Sequence, residues 1–295
     1  MKHMEFHEVL VPVDGGELAT TDYGGSGRPM IFIHSPGYSA RQWDDVAAGV
    51  HAHSWALDLR GHGHSTAPAV RGSQVWRDIV AVADALELVA PVVVAHEMSG
   101  AAVLQAAYHA PGRFAAIVLV NASCAASAQA MAEAQALLDE PEILGMLTER
   151  FLLGVRIPAP DRATFVRTMI EHKTGDWWLP EVPMSAAETD HITVDHGDGT
   201  FSQRPEVAAV QALYSFEPGE EFPCDALHER VEMPVFTVTT DGSFDAASRE
   251  QIEELARRRP NVRARFIPGG PYPQYANVTD LVAVLNGILT EIAEQ

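Results

Sequence analysis

Short runs of branched apolar residues alternate with segments of helical apolar spacing along most of this chain, and this alternation limits the folds open to it. The apolar runs cover 29–34, 54–59, 91–96 and 115–122. Near-continuous apolar runs of this length are typical of strands that are buried on both faces of a parallel sheet. We therefore predict an α/β fold with a mostly parallel central sheet and helices on both faces.

The alternation stops after residue 123 and resumes near residue 229. The intervening segment carries helical patterns and a stretch rich in Trp, Pro, Gly and His. We predict a core domain of residues 1–123 and 229–295, with an inserted helical cap, or lid, at 124–228. Open α/β sheets bind ligands at the carboxyl ends of their strands, so we expect the cap to lie over that edge.

Charge and cysteine content restrict the partners and the compartment. Forty acidic and 20 basic residues give a net charge of −20. Such a chain repels phosphate backbones and anionic lipids, so we expect no nucleic-acid or membrane partner. We expect a small-molecule substrate, and a homodimer remains open. Two cysteines, Cys124 and Cys224, have no metal-type spacing, which fits a reducing, cytoplasmic location.

Several loop motifs follow one another along the chain, and together they are more specific than any one of them alone. They are "FIHSPGYSARQW", "LDLRGHGHS", "VVAHEMSG" and "MPVFTVTTDGSFD" followed by "FIPGGPYPQ". Over almost its whole length the chain resembles the α/β-hydrolase fold superfamily, in its capped form with epoxide hydrolases and esterases. The resemblance implies a nucleophile on a tight strand-to-helix turn, a histidine base, an orienting acid and two backbone N–H donors for an oxyanion.

Three of these parts are altered, which predicts a degenerate catalytic triad. Glu97 takes the place of the nucleophile, and Pro271 takes the place of the histidine. Pro36, which has no N–H, occupies the slot of the first oxyanion donor. Asp241 and Asp245 remain in the region of the acid. Without its donors a tetrahedral oxyanion is poorly stabilised, so ordinary ester hydrolysis is expected to be absent or weak.

A carboxylate at the tip of the turn can accept or give a proton without water. If Glu97 attacked a substrate instead, the resulting ester would stall, because no histidine activates water. We therefore predict a cofactor-independent, non-hydrolytic enzyme of the cyclase, lyase or isomerase type, with Glu97 as general acid or base. The resemblance suggests a small apolar substrate from specialised biosynthesis. Two alternatives stay open: an epoxide, lactone or ester hydrolase with Glu97 as nucleophile or water-directing base, and a ligand-binding pseudohydrolase.

Other residues support this hypothesis less directly. The further catalytic candidates are Tyr272, His34, which could hydrogen-bond Glu97, and Asp245. The candidates for substrate binding are Pro36, Met98, Trp177, Trp178 and Pro271. We predict no metal ligand. The segment "TDHITVDHGD" (189–198) has a metal-like composition but is interpreted as a lid loop that lines the surface or the pocket.

Overall fold

The computed structural model describes residues 6–122, 129, 132–133, 136–137, 139–173, 186–213, 215, 225–242 and 249–294. The strands are β1 (His7–Val13), β2 (Gly16–Gly24), β3 (Pro29–Ile33), β4 (His53–Leu57), β5 (Val92–His96), β6 (Ala116–Val120), β7 (Ile157–Pro158), β8 (Thr193–Asp195), β9 (Thr200–Gln203), β10 (Val235–Thr240) and β11 (Val262–Ile267). The helices are α1 (Asp44–Ala47), α2 (Ser73–Ala85), α3 (Ser99–His109), α4 (Pro141–Phe151), α5 (Arg162–Lys173), α6 (Ala186–His191), α7 (Val207–Leu213), α8 (Arg249–Arg258), α9 (Pro273–Ala276) and α10 (Val278–Ala293). Short 3₁₀ helices cover Ala40–Trp43, Ala159–Asp161 and Asp225–Glu229.

Eight of the described strands form a central sheet in the order β1-β2-β4-β3-β5-β6-β10-β11. Strands β1 and β2 form the predicted antiparallel hairpin, and β2 also pairs antiparallel with β4. From β4 onward every pairing is parallel. The predicted α/β fold with a mostly parallel sheet is therefore confirmed. Its parallel part brings the carboxyl ends of β3, β5, β6 and β10 to one edge.

Both faces of the sheet are covered by apolar side chains, as the continuous apolar runs predicted. One buried cluster joins α2 and α3 to the sheet through residues such as Ile79 and Val103. A second cluster joins the 3₁₀ helix at 40–43 and α10 to the opposite face through Trp43 and Leu285. All five side chains of β5 are buried. The strand that leads to Glu97 is therefore held rigidly from both sides.

The segment between β6 and β10 contains the predicted helices at α4 and α5, but it also contains strands. Strands β7, β9 and β8 form a three-stranded antiparallel sheet. The interpretation of residues 189–198 as a lid loop is therefore wrong, because they include the end of α6 and the whole of β8. The turn between β8 and β9 contains Gly197 and Gly199, both with positive φ, and glycines of this kind favour a hairpin here. The boundaries 124 and 228 stay a prediction.

A membrane span would need a long, continuously apolar helix. Among the described helices, none combines that length with that hydropathy.

Candidate active site

The turn between β5 and α3 has the sharp geometry that the sequence predicts. Glu97 adopts a positive φ of 49°, and α3 begins two residues later at Ser99. The Glu97 N–H donates to the Val120 carbonyl (3.0 Å), and the Glu97 carbonyl accepts from the Gly100 N–H (2.9 Å). A Cβ at Gly100 would come within 2.3 Å of the Ala122 Cβ. The helix can therefore approach β6 only because residue 100 is a glycine.

The side chain of Glu97 lies at the tip of this turn and is 18% exposed, so it is accessible from outside the core. Met98 follows it and is partly buried. Ser99 is buried, and its hydroxyl donates to the His34 carbonyl at 2.6 Å. Because that hydroxyl donates to a main-chain carbonyl, Ser99, at the start of α3, is poorly placed to replace a nucleophilic serine.

The loop after β3 directs its main-chain donors into the protein. Pro36 has no N–H to offer. The N–H of Gly37 donates to His62 Nε2 (3.1 Å), and that of Tyr38 donates to the Ser35 carbonyl (3.2 Å). The loop therefore presents these N–H groups to internal acceptors.

His34 is held by the main chain on both sides of its ring. Its Nδ1 lies 2.8 Å from the Ser35 carbonyl, and its Nε2 accepts the Leu59 N–H at 3.0 Å. Burial lowers the pKa of His34 to about 4, so the ring is neutral at pH 7. Neither nitrogen remains for Glu97, and the predicted hydrogen bond between His34 and Glu97 is wrong. His34 shapes the loop after β3 instead.

The imidazole nearest to Glu97 belongs to its chain neighbour. His96 Nδ1 lies 3.9 Å from Glu97 Oε2. His96 Nε2 lies 2.9 Å from the Pro271 carbonyl, and Nδ1 lies 3.0 Å from the Gln42 amide nitrogen. Burial lowers the pKa of His96 to about 4, despite the opposing effect of the Pro271 carbonyl. A weakly basic ring with both nitrogens engaged links Pro271 to Gln42 and is poorly suited to activate water.

Pro271 and Tyr272 occupy the position where the resemblance places a histidine, and both are buried. The Pro271 carbonyl accepts from His96 Nε2 and from the Asn121 side-chain amide, each at 2.9 Å. Asn121 also accepts the Thr240 N–H at 2.9 Å. Asn121, at the end of β6 with a φ of 47°, thus fixes the Tyr272 loop to the sheet. A polar residue directly after an apolar strand was the signal that could have identified it.

Two further tyrosines, Tyr38 and Tyr275, pack with Tyr272, and Tyr275 contacts a second carboxylate, Glu188; none of the three is predicted from the sequence. The rings of Tyr38 and Tyr272 lie 5.5 Å apart and their hydroxyls share a hydrogen bond. The Tyr275 hydroxyl donates to Glu188 Oε1 at 2.6 Å. Glu188 belongs to α6 and is 1% exposed, so the segment between β6 and β10 supplies a buried acid to the site. The spacing of Tyr272 and Tyr275 across one helical turn was the available signal.

These tyrosines remain protonated over the usual range of working pH. Burial, followed by the charge and hydrogen bond of Tyr272, raises the pKa of Tyr38 well above its usual value, and Glu97 and Glu188 add to this effect. Burial, followed by the charge of Glu188, raises the pKa of Tyr275 in the same way. The arrangement therefore combines neutral hydroxyl donors with two carboxylates. It can donate hydrogen bonds to a substrate oxygen while a carboxylate exchanges a proton.

The remaining residues singled out from the sequence lie away from the turn at Glu97 or outside the described part of the chain. Trp177, Trp178 and Asp245 lie outside the described residues, and Asp241 is exposed. His191, at the end of α6, contacts buried Asp58 of the core through its Nε2 at 2.7 Å.

Comparison with known proteins gives consistent results for the fold. A model of the alpha/beta hydrolase family matches residues 30–284. An esterase of Mycobacterium tuberculosis is 42% identical over 53 residues, which is 18% of each chain. The matches to curated relatives span less than half of each relative's length.

Several solved structures are similar over nearly the whole chain, among them the following two. The E-2-(acetamidomethylene)succinate hydrolase structure has a TM-score of 0.71 at 17% identity and covers 96% of this chain and 98% of its own. The enol-lactonase from Burkholderia xenovorans LB400 has a TM-score of 0.66 at 16% identity and covers 96% and 100%.

Proposed function

Because this chain belongs to the α/β-hydrolase family, we propose that it is a small-molecule enzyme whose chemistry is proton transfer by Glu97. The observation that carries the proposal is the placement of a carboxylate at the left-handed tip of the turn, where the family uses a nucleophile. A carboxylate in that position can act as a general base or acid on any substrate that reaches the turn.

Tyr38, whose pKa is raised in part by the charge of Glu97, and Tyr272, which shares a hydrogen bond with Tyr38, supply the complementary half of such a reaction. When Glu97 removes a proton from a substrate, negative charge develops elsewhere on that substrate. The hydroxyl of Tyr272 or Tyr38 can donate a hydrogen bond to the oxygen that gains this charge. This route does not need the main-chain donor that Pro36 cannot provide, nor a histidine to activate water. It favours a cyclisation, elimination or isomerisation of a small apolar molecule.

A second candidate is hydrolysis of a lactone, ester or epoxide, with Glu97 as the nucleophile or as the base that directs water. The relatives favour this candidate over the non-hydrolytic one, because the similar proteins include an esterase, a succinate-derivative hydrolase and an enol-lactonase. The position of Pro271 opposes a covalent route, since the ester on Glu97 would have no histidine to cleave it. General-base hydrolysis by Glu97 is the form of this candidate that fits the site.

The test is to screen small lactones, epoxides and enol ethers in ¹⁸O-labelled water and to assay Glu97→Gln on every substrate that turns over. Loss of a general base lowers kcat by about 10²- to 10⁴-fold. Tyr272→Phe, which keeps the ring and removes the hydroxyl, should lower kcat more than it raises KM. Label in the product indicates hydrolysis, and label in the Glu97 peptide indicates a covalent ester. Unlabelled product indicates rearrangement.

The control variant is Glu87→Gln, because Glu87 also has a positive φ (52°) but is exposed and lies after α2. It should leave kcat unchanged. Turnover that survives Glu97→Gln would refute proton transfer by Glu97, and ester cleavage lost in Ser99→Ala would assign the nucleophile to Ser99. Compounds that raise the melting temperature without turnover would favour the pseudohydrolase alternative.

A further inference from the structure

Two imidazoles and a carboxylate from distant parts of the chain meet where the core sheet contacts α6. Glu8 lies in β1, His64 in the loop after β4, and His191 at the end of α6. Their potential ligand atoms all lie within 4.8 Å of one another. His64 Nδ1 is 2.6 Å from Glu8 Oε2, and the two imidazole centroids are 3.9 Å apart. We propose that Glu8, His64 and His191 bind a divalent transition metal ion of the zinc class.

A buried carboxylate behind the cluster supports this proposal. Asp58 is 1% exposed, and its Oδ2 lies 2.7 Å from His191 Nε2. The same oxygen accepts the main-chain N–H of His64 at 3.0 Å. A histidine held at one nitrogen by a carboxylate is oriented and made more basic at the other, and histidine ligands of metals are usually held in this way. In His191 the nitrogen left for a metal is Nδ1.

The loop that carries His64 is also shaped for this approach. Gly63 has a φ of 44°, and a Cβ at that position would lie 2.2 Å from Asp58 Oδ2. Only glycine therefore allows the main chain to pass so close to the Asp58 carboxylate. The close passage places His64 directly beside His191.

The donor set selects the class of metal. Two imidazoles and one carboxylate suit Zn²⁺, Ni²⁺ or Cu²⁺, whereas Mg²⁺ prefers oxygen ligands alone. Tetrahedral Zn²⁺ with bonds of about 2.0–2.1 Å places its ligand atoms about 3.4 Å apart and leaves one position for water. The pair at 2.6 Å must open by less than one ångström. The Glu8 and His64 side chains are 36% and 44% exposed, so they can move by this amount.

A bound ion would join the core sheet to α6 by two core ligands and one helix ligand. His191 lies one helical turn after Glu188, whose carboxylate accepts from Tyr275. Occupancy would therefore hold α6, and Glu188 with it, against the tyrosines of the candidate active site. The binding itself does not depend on the proposed function.

The experiment is a calorimetric titration of the metal-free full chain with ZnCl₂, with thermal unfolding followed in parallel. We expect one Zn²⁺ per chain and a rise in melting temperature of about 5 °C at 100 times the Kd. Glu8→Gln and His64→Ala change exposed side chains, and each should weaken binding at least about 10-fold. His51→Ala, an exposed histidine elsewhere, should bind as the wild type does. MgCl₂ should have no effect.

Two results would overturn the proposal. One is no heat and no thermal shift up to millimolar ZnCl₂. The other is binding that is unchanged in both Glu8→Gln and His64→Ala, which would assign the ion to other histidines of the chain.

Discussion

His96 is the histidine beside Glu97 in the structure, so its pKa is the most informative single property to test for an assisting base. Its Nδ1 is 3.9 Å from Glu97 Oε2, the right neighbourhood for a base that activates water. Both ring nitrogens are instead engaged, Nε2 with the Pro271 carbonyl and Nδ1 with the Gln42 amide, and a pKa lowered to about 4 by burial makes the ring a weak base. We predict that His96 stays unprotonated at pH 7 and that acid destabilises the fold through it.

The size of this acid destabilisation follows from the lowered pKa of the buried ring. The ordinary pKa is 6.5 and the folded value is about 4. The unfolded chain therefore binds the proton first as the pH falls. At ~1.36 kcal/mol per pH unit the full difference is about 3 kcal/mol. This contribution is complete above pH 6.5, declines as the pH falls, and is lost entirely below pH 4. Between pH 7 and pH 5 the loss is about 2 kcal/mol.

The assay compares urea unfolding of the wild type and His96→Gln at pH 7 and pH 5. Glutamine keeps an N–H for the Pro271 carbonyl but carries no titrating ring. The variant should lose about 2 kcal/mol less than the wild type over this interval. His51→Gln, at an exposed site, controls for the loss of one histidine. Equal pH dependence in the wild type and His96→Gln, or an NMR titration of the His96 ring near pH 6.5, would refute the reasoning and restore an imidazole partner for Glu97.

Two further predictions concern the main chain around the site. Replacing Glu97 (φ 49°) by glycine relieves left-handed strain of about 1–2 kcal/mol and costs about 0.5–1 kcal/mol of chain entropy. The free energy of unfolding in urea should therefore rise by about 0.5–1 kcal/mol, while turnover is lost. Glu87→Gly, at φ 52°, should stabilise similarly but keep turnover; a loss of stability in both would contradict the strain argument. Asn121→Ala leaves the buried Thr240 N–H unpaired and removes one donor from the Pro271 carbonyl. The free energy of unfolding in urea should therefore fall by about 2–3 kcal/mol, and kcat should be reduced. An unchanged unfolding midpoint would show that the Tyr272 loop does not depend on Asn121.

The sequence predicted those parts of the molecule that depend on local pattern. The parallel strands, the hairpin about Gly15 and Gly16 and the turn at Glu97 each leave a signature within about ten residues. The contacts that define the site do not, because they join residues distant along the chain. Glu188 contacts Tyr275 across 87 residues, and the Pro271 carbonyl meets Asn121 across 150.

The error at His34 has the same origin. Its position beside the turn suggested a partner for Glu97, but a ring has only two nitrogens. One is taken by the next carbonyl and the other by Leu59, 25 residues away. The small sheet of β7, β8 and β9 was missed because its strands have only two to four residues, too few for a periodic signal.

The strain at Glu97 argues for a retained activity rather than a decayed site. A positive φ costs a non-glycine residue about 1–2 kcal/mol. Glycine or asparagine would remove this cost. A chain under no functional demand would therefore gain stability by losing this residue. The surrounding tyrosines, with their hydroxyls kept protonated by burial and by Glu97 and Glu188, are the partners that a proton-transferring carboxylate needs.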